Sequence, residues 1–278
     1  MAARKNNSTA EPLIRVAGLS QSYVQRRFAR PSHVVQALSE INLAIPRGCV
    51  LALVGESGSG KSTLARCLAC LERPSAGEIW FEGRNLTAAA DRELQAVRPR
   101  LQLIFQDAAT ALNPRFAAWE IVAEPLVVQR QGTPAERRAR ALELMEQVGL
   151  PARWAERRPA EFSGGQRQRL AIARALTLRP SLLILDEALS GLDLSIQAQI
   201  VNLLLDIQER HALTYLYIAH DLSLVRRVAD EVAVLQRGRI VEQAATAELF
   251  AHPRHGHTQA LLAAIPGSGS GPMEASVG

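Results

Sequence analysis

Gly55-Glu56-Ser57-Gly58-Ser59-Gly60-Lys61-Ser62-Thr63 decides the reading of this chain. It fits the spacing G-x-x-x-x-G-K-[ST] of a phosphate-binding P-loop, with Gly55, Gly60, Lys61 and Ser62 in the required places. Before it, Val50-Leu51-Ala52-Leu53-Val54 is an apolar run of strand length. After it, Leu64, Leu68 and Leu71 recur at helical spacing. Glycines at 55, 58 and 60 let the backbone turn its N–H groups inward around phosphate oxygens. The helix starting near Lys61 points its positive dipole end at the same anion. Lys61 is placed to reach the β- and γ-phosphates of a nucleotide, and the Ser62 hydroxyl to ligate Mg²⁺. Of 32 basic residues only Lys5 and Lys61 are lysines. An arginine-using sequence thus keeps a compact point charge where a P-loop needs one.

The 278 residues can bury a full core, and 47% hydrophobic content argues for a globular protein. No apolar run approaches the roughly 18 residues that cross a bilayer. Residues 1–12 form a polar N-terminal tail with no apolar signal core, so a cytoplasmic location is expected. Three cysteines are too few for a disulfide framework, and Cys67-x-x-Cys70 reads as packing on the P-loop helix. The net charge of +5 comes without basic blocks interleaved with aromatics, so no nucleic-acid partner is expected.

Leu13 to Val16 reads as a first strand, and alternation through Leu38, Ile41, Leu43 and Ile45 as another, with Tyr23 in a polar loop between them. Ile79-Trp80-Phe81 and Leu101 to Phe105 are further strands, the latter ending at Gln106. From about 108 to 175 the pattern is helical, with helices expected from Pro134 and over Gly164 to Leu176. Leu182 to Leu185 and Thr214 to Ile218 return to strand, separated by a helix whose core face is Ile196, Ile200, Leu203, Leu204 and Ile207. Val232 to Leu235 and Arg239 to Val241 flank Arg237-Gly238 as a hairpin. Strands alternating with helices indicate an α/β domain whose ligand sits beyond the strands' carboxyl ends. Those ends carry the P-loop, Asp186-Glu187 and His220.

Asp186, closing an apolar strand, can hold Mg²⁺ directly or through water. Glu187 can accept the proton of a water attacking the γ-phosphate. His220, after its strand, can contact the γ-phosphate or the water, and Gln106, after its own, can contact Mg²⁺ or the water. Ser163-Gly164-Gly165-Gln166 opens a second helix with paired glycines and a serine hydroxyl. It can be a plain helix cap or a second anion site; as the latter it implies two chains sharing nucleotides.

With Phe162 to Arg169, the P-loop, Gln106, Leu182 to Glu187, Ser190-Gly191-Leu192-Asp193 and His220 in this order, the chain resembles an ABC transporter ATP-binding subunit over roughly residues 13 to 265. The resemblance implies an α/β fold: a P-loop NTPase core of ABC type, with an antiparallel β subdomain and an inserted α-helical subdomain at about 108–175. The ATPase domain spans 13–250, a C-terminal extension 251–266, and 267–278 reads as a disordered tail. ATP and Mg²⁺ are the expected ligands, each ATP lying between one P-loop and another domain's signature motif, Ser163 to Gln166 here. The resemblance makes Tyr23 the adenine-stacking aromatic, Gln106 the Q-loop glutamine, Asp193 the D-loop aspartate, Glu187 the base and His220 the switch histidine.

Ile104-Phe105-Gln106-Asp107 with Leu112-Asn113-Pro114-Arg115, Leu194 to Gln199, and His252-Pro253-Arg254-His255 with Thr258 to Leu262 are similar to the dipeptide, oligopeptide and nickel importer ATPases. Ala188, Gly191 and Gly256-His257 depart from that pattern. The implied partners are a second ATPase subunit (a different chain is favoured over a second copy), two transmembrane permeases, and indirectly an extracytoplasmic solute-binding protein. The implied place is the cytoplasmic face of the membrane, held peripherally. The rivals are a soluble ABC ATPase acting on DNA or ribosomes and an unrelated P-loop kinase; one P-loop with one signature motif argues against both.

Overall fold

The computed structural model describes residues 11–27, 30–106 and 111–265, and the side chains of all of these except 25–27 and 30–33. The N-terminal tail up to residue 10, Asp107 and the tail from 267 on lie outside the described residues.

Among the described residues, nineteen strands and α-helices follow in order. They are β1 (Ile14–Arg27), β2 (Arg30–Ile45), β3 (Val50–Val54), α1 (Lys61–Leu68), β4 (Ala76–Phe81), β5 (Arg84–Asn85), α2 (Asp91–Val97), β6 (Leu101–Ile104), α3 (Ala118–Val128), α4 (Pro134–Gln147), α5 (Gly164–Leu176), β7 (Leu182–Asp186), α6 (Leu194–His211), β8 (Thr214–Ile218), α7 (Leu222–Val228), β9 (Glu231–Gln236), β10 (Arg239–Ala245), α8 (Thr246–Ala251) and α9 (Gly256–Ala263). The strands form two sheets: an antiparallel sheet in the order β2-β1-β4-β5, and a sheet in the order β10-β9-β3-β8-β7-β6 whose members are parallel except β10.

The apolar run of β3 is explained by burial on both faces. Val50, Ala52 and Val54 enter one core with Leu183, Leu185, Tyr215 and Tyr217. Leu51 and Leu53 enter the other with Leu182, Ile184, Leu216 and Ile218. The first core holds α3, α4, α5 and α6; the second holds α1 and the antiparallel sheet. The helices of the 108–175 stretch therefore close one face of the parallel sheet and share its core.

Local chemistry sets the ends of several elements. Thr133 caps α4 reciprocally with Glu136, and Pro134 occupies the first turn, where its missing N–H costs nothing. Glu82-Gly83 and Arg237-Gly238 have positive φ at both positions, the two-residue turn that suits strand twist, and each closes a hairpin.

Tyr23 departs from its expected loop. It lies within β1 and pairs with Val35 of β2. The ribbon of β1 and β2 continues past the core, where Val24 and Val34 are more than half exposed. Ladder hydrogen bonds, not burial, carry it there, so its polar composition looks like a loop.

Candidate functional site

β3 delivers the chain into Gly55 at the carboxyl end of the parallel sheet. A Cβ on Gly55 would lie 2.1 Å from the Leu235 carbonyl oxygen of β9, and one on Gly60 (φ +111°) 2.5 Å from the Ala37 carbonyl oxygen of β2. These glycines are needed for backbone packing as well as for an anion. The β9–β10 turn braces the loop. The Gly238 N–H donates to the Ser59 carbonyl at 2.9 Å, and the Gly238 carbonyl accepts from Ser39 N–H at 2.8 Å. Ser59 is buried, whereas Glu56, Ser57 and Gly58 are exposed.

Lys61 is buried, and its Nζ donates to the carbonyls of Gly55 and Glu56, both at 2.9 Å. Burial lowers its pKa from the ordinary lysine value, partly countered by the charges of Glu187 and Asp186. The Ser62 hydroxyl donates to Asp186 Oδ1 at 3.2 Å, joining positions 124 residues apart. Asp186 is 7% exposed. Burial and the neighbouring Glu187 raise its pKa above the usual aspartate value, against the Ser62 hydrogen bond and the charges of Arg66 and Lys61.

β7 and β8 are parallel neighbours paired up to Asp186 and Ile218. Glu187 and His220 follow just beyond. Glu187 adopts φ +51°, its N–H donates to the Ile218 carbonyl at 3.1 Å, and its Oε1 meets His220 Nε2. The Glu187 side chain is 16% exposed and that of His220 46%. The Glu187 backbone carbonyl accepts from the Ser190 hydroxyl at 2.8 Å, which holds the turn after the acid. β6 lies beside β7, so Gln106, exposed after its strand, stands at the same sheet end.

A hydroxyl and a buried carboxylate are hard donors of the kind Mg²⁺ takes. The Ser62–Asp186 contact fits that ion. Among the described residues no group of three or more His, Cys, Asp or Glu side chains is placed to hold a metal ion.

Ser163 to Gln166 begins α5. Gln166 N–H donates to Ser163 Oγ at 3.3 Å, and Ser163 N–H donates to Gln166 Oε1 at 2.9 Å, a capping box. Asp193 caps α6 through Ile196 N–H at 2.9 Å. The two helix starts touch: a Cβ on Gly165 would meet Ile196 Cγ2 at 2.5 Å. Neither hydrogen bond of the Ser163–Gln166 cap reaches the P-loop.

The Tyr23 hydroxyl donates to Glu72, which pairs with Arg66 of α1 at 2.6 Å. Sequence reasoning missed Glu72 and Arg66, as it missed the Gly238 brace; no motif marks any of them. Cys67 and Cys70 are buried, and burial pushes their thiols up to about 12 and about 11, which makes them inert.

A P-loop lysine, a strand-end carboxylate pair and a histidine at adjoining strand ends, with a capped Ser-Gly-Gly-Gln helix on the same chain, make up the arrangement. Residues 38–190 match the family described as ABC transporter. The chain belongs to the ABC transporter family. It is 48% identical to a Brucella ovis protein provisionally named a peptide import ATP-binding protein, over 93% of this chain and 80% of that one. It is 42% identical to the dipeptide transport ATP-binding protein DppF of Escherichia coli, over 92% of this chain and 77% of DppF. Its fold matches the dimeric ATP-binding cassette MJ0796 bound to ADP and Pi in a post-hydrolysis state, with TM-score 0.74, 30% identity, and coverage of 84% of this chain and 98% of that one. It also matches cbiO1 from Clostridium perfringens, part of an ABC transporter complex, with TM-score 0.76, 28% identity, and coverage of 87% and 92%. The ABC chain is thus an ATPase with the α/β cassette fold. No helix among its described residues is long and apolar enough to cross a membrane.

Proposed function

We propose that this ABC ATPase energises an importer for peptides, nickel or a related small solute, held at the cytoplasmic face of the membrane by two permease subunits. The single observation that carries the ATPase chemistry is the meeting of Glu187 with His220 beside the Ser62–Asp186 contact. The peptide class rests on the names of the relatives, dipeptide transport among them.

ATP lies along the P-loop with its phosphates against the backbone N–H groups of Gly58 to Lys61. Lys61 exchanges its carbonyl partners for β- and γ-phosphate oxygens and offsets their charge in a buried setting. Ser62, Asp186 and Gln106 hold Mg²⁺, which when bound neutralises charge on the phosphates. Glu187 accepts a proton from the water whose oxygen attacks the γ-phosphorus, as the bond to ADP breaks. His220 orients the Glu187 carboxylate toward that water. Tyr23 stacks on adenine.

Ser163 to Gln166 of a second ATPase subunit covers the γ-phosphate, and Asp193 lines the junction. The second subunit is a different chain in preference to a second copy. A ligand that touches both halves only when they are closed drives closure by its differential affinity. The solute-binding protein joins only through the permeases.

Affinity purification of the full chain from membranes tests the assignment. Two strongly hydrophobic permeases, with a second ATPase, are expected in stoichiometric yield. A salt-sensitive nucleic-acid complex in their place would overturn it.

A further inference from the structure

The turn that follows the P-loop helix faces Tyr23. α1 ends in a Schellman motif: Leu71 N–H donates to the Arg66 carbonyl at 2.9 Å and Cys70 N–H to the Cys67 carbonyl at 3.1 Å. Cys70 takes the left-handed position, φ +56°, that glycine usually fills, and its carbonyl accepts from Arg98 Nη2 at 3.1 Å. A turn held in this way gives the next residue, Glu72, a defined place. Glu72 Oε1 pairs with Arg66 Nε at 2.6 Å, and its Oε2 accepts from the Tyr23 hydroxyl. The Glu72 side chain is 28% exposed and that of Arg66 36%, so both are partly shielded from water.

The residues after Glu72 are stitched to the same stretch of β1. Ser75 N–H donates to the Ser20 carbonyl at 2.9 Å. The Ser75 hydroxyl accepts from Ser22 N–H at 3.1 Å and donates to Gln21 Oε1 at 3.2 Å. Residues 72–75 therefore hold β1 just before Tyr23, and hold the tip of the Tyr23 side chain as well. Pairing with Val35 of β2 fixes the Tyr23 backbone but leaves its side-chain torsions a choice of wells. The contact with Glu72 removes that choice, and it comes from the end of the helix that starts at Lys61.

We propose that Glu72 is a positioning residue for the base of the nucleotide: through the Tyr23 hydroxyl it holds the ring in one orientation before adenine arrives, and with Arg66 it ties that ring to the P-loop helix. The proposal rests on the reading of Tyr23 as the adenine-stacking residue. A free ring must be ordered when the base binds, whereas a ring already held costs nothing further. The difference shows as affinity for ligands that carry a base, and ligands made of phosphates alone do not sense it.

The test is calorimetric titration of the full chain with Mg²⁺ and either a non-hydrolysable ATP analogue or inorganic triphosphate. The chains compared are the wild type, Glu72→Ala, Tyr23→Phe, the double variant of these two, and Tyr23→Ala, with thermal melting to report folding of each. The readout is the ratio of the two Kd values, in which an effect on the phosphates alone cancels. Glu72→Ala should weaken the analogue about two- to threefold relative to triphosphate. Tyr23→Phe removes the group that Glu72 holds and should match that loss, and the double variant should add nothing. Tyr23→Ala should lose more, about three- to tenfold, because the ring itself is gone. With Tyr23→Ala impaired, an unchanged ratio in folded Glu72→Ala or additive losses in the double variant would overturn the proposal and leave stacking in place. If Glu72→Ala does not fold, an unchanged ratio in Tyr23→Phe overturns it equally. An unchanged ratio in Tyr23→Ala would overturn the stacking role of Tyr23, and the proposal with it.

Discussion

Glu187 Oε1 meets His220 Nε2 across the ends of two parallel strands that reach this point 33 residues apart in sequence. The acid sits in the left-handed region of backbone space, at φ +51°, with its N–H bound to the neighbouring strand. Such a conformation costs on the order of 1–3 kcal/mol and persists only where the surroundings impose it.

That relationship separates two roles. Glu187→Gln should retain ATP binding and lower turnover by at least about a hundredfold, since the proton acceptor is gone. It should also trap an ATP-dependent dimer, seen by size-exclusion chromatography. His220→Ala should lower kcat with little change in KM, because Glu187 remains but is no longer oriented. Normal turnover in Glu187→Gln would remove the residue from the role of base.

Asp186 makes a prediction about stability. Its pKa is raised in the folded chain, mainly by burial. Folding therefore favours its protonated form. That contribution is complete below the unfolded value of about 3.9 and is lost as pH rises through the folded value. Asp186→Asn cannot ionise. In chelator and without nucleotide it should melt a few degrees above the wild type near pH 7. The difference should close as the pH falls toward about 4. Equal melting temperatures across that range would mean that ionising Asp186 costs the fold nothing.

The close approach of α5 and α6 can be tested by packing. Gly165→Ala places a methyl 2.5 Å from Ile196 Cγ2, so one of the two helix starts must shift. The expected loss is about 1–3 kcal/mol in denaturant unfolding. Ile196→Ala in the same chain should recover most of it, because the three atoms nearest the added methyl all belong to that side chain.

Tyr23 is tied through its hydroxyl to Glu72 and through Glu72 to Arg66. Tyr23→Ala should raise the KM for ATP about three- to tenfold through the lost ring face. Tyr23→Phe keeps the ring and should cost less. If the phenylalanine variant is as impaired as the alanine one, the hydroxyl pairing matters and stacking does not.

Much of the site was legible because its parts are local. A P-loop is a run of nine residues whose glycines, lysine and hydroxyl act within a single turn, and Asp186-Glu187 ends a strand visible as an apolar run. Tyr23 was legible as an aromatic but not as a strand residue. Its ladder partner Val35 lies across a ribbon whose pairing depends on a register that polar composition does not reveal.

By itself, the sequence determined the strands of the parallel sheet, the glycine-rich loop after β3, the acids and histidine at strand ends, and the cap at Ser163, since each depends on neighbours along the chain. Only the tertiary structure decided that Ser62 touches Asp186, that Gly238 braces Ser59, and that Gly165 admits Ile196. These contacts join segments from 31 to 179 residues apart. They follow from strand order and helix packing in a shared core, and no period or motif in the sequence encodes which distant groups that packing brings within reach.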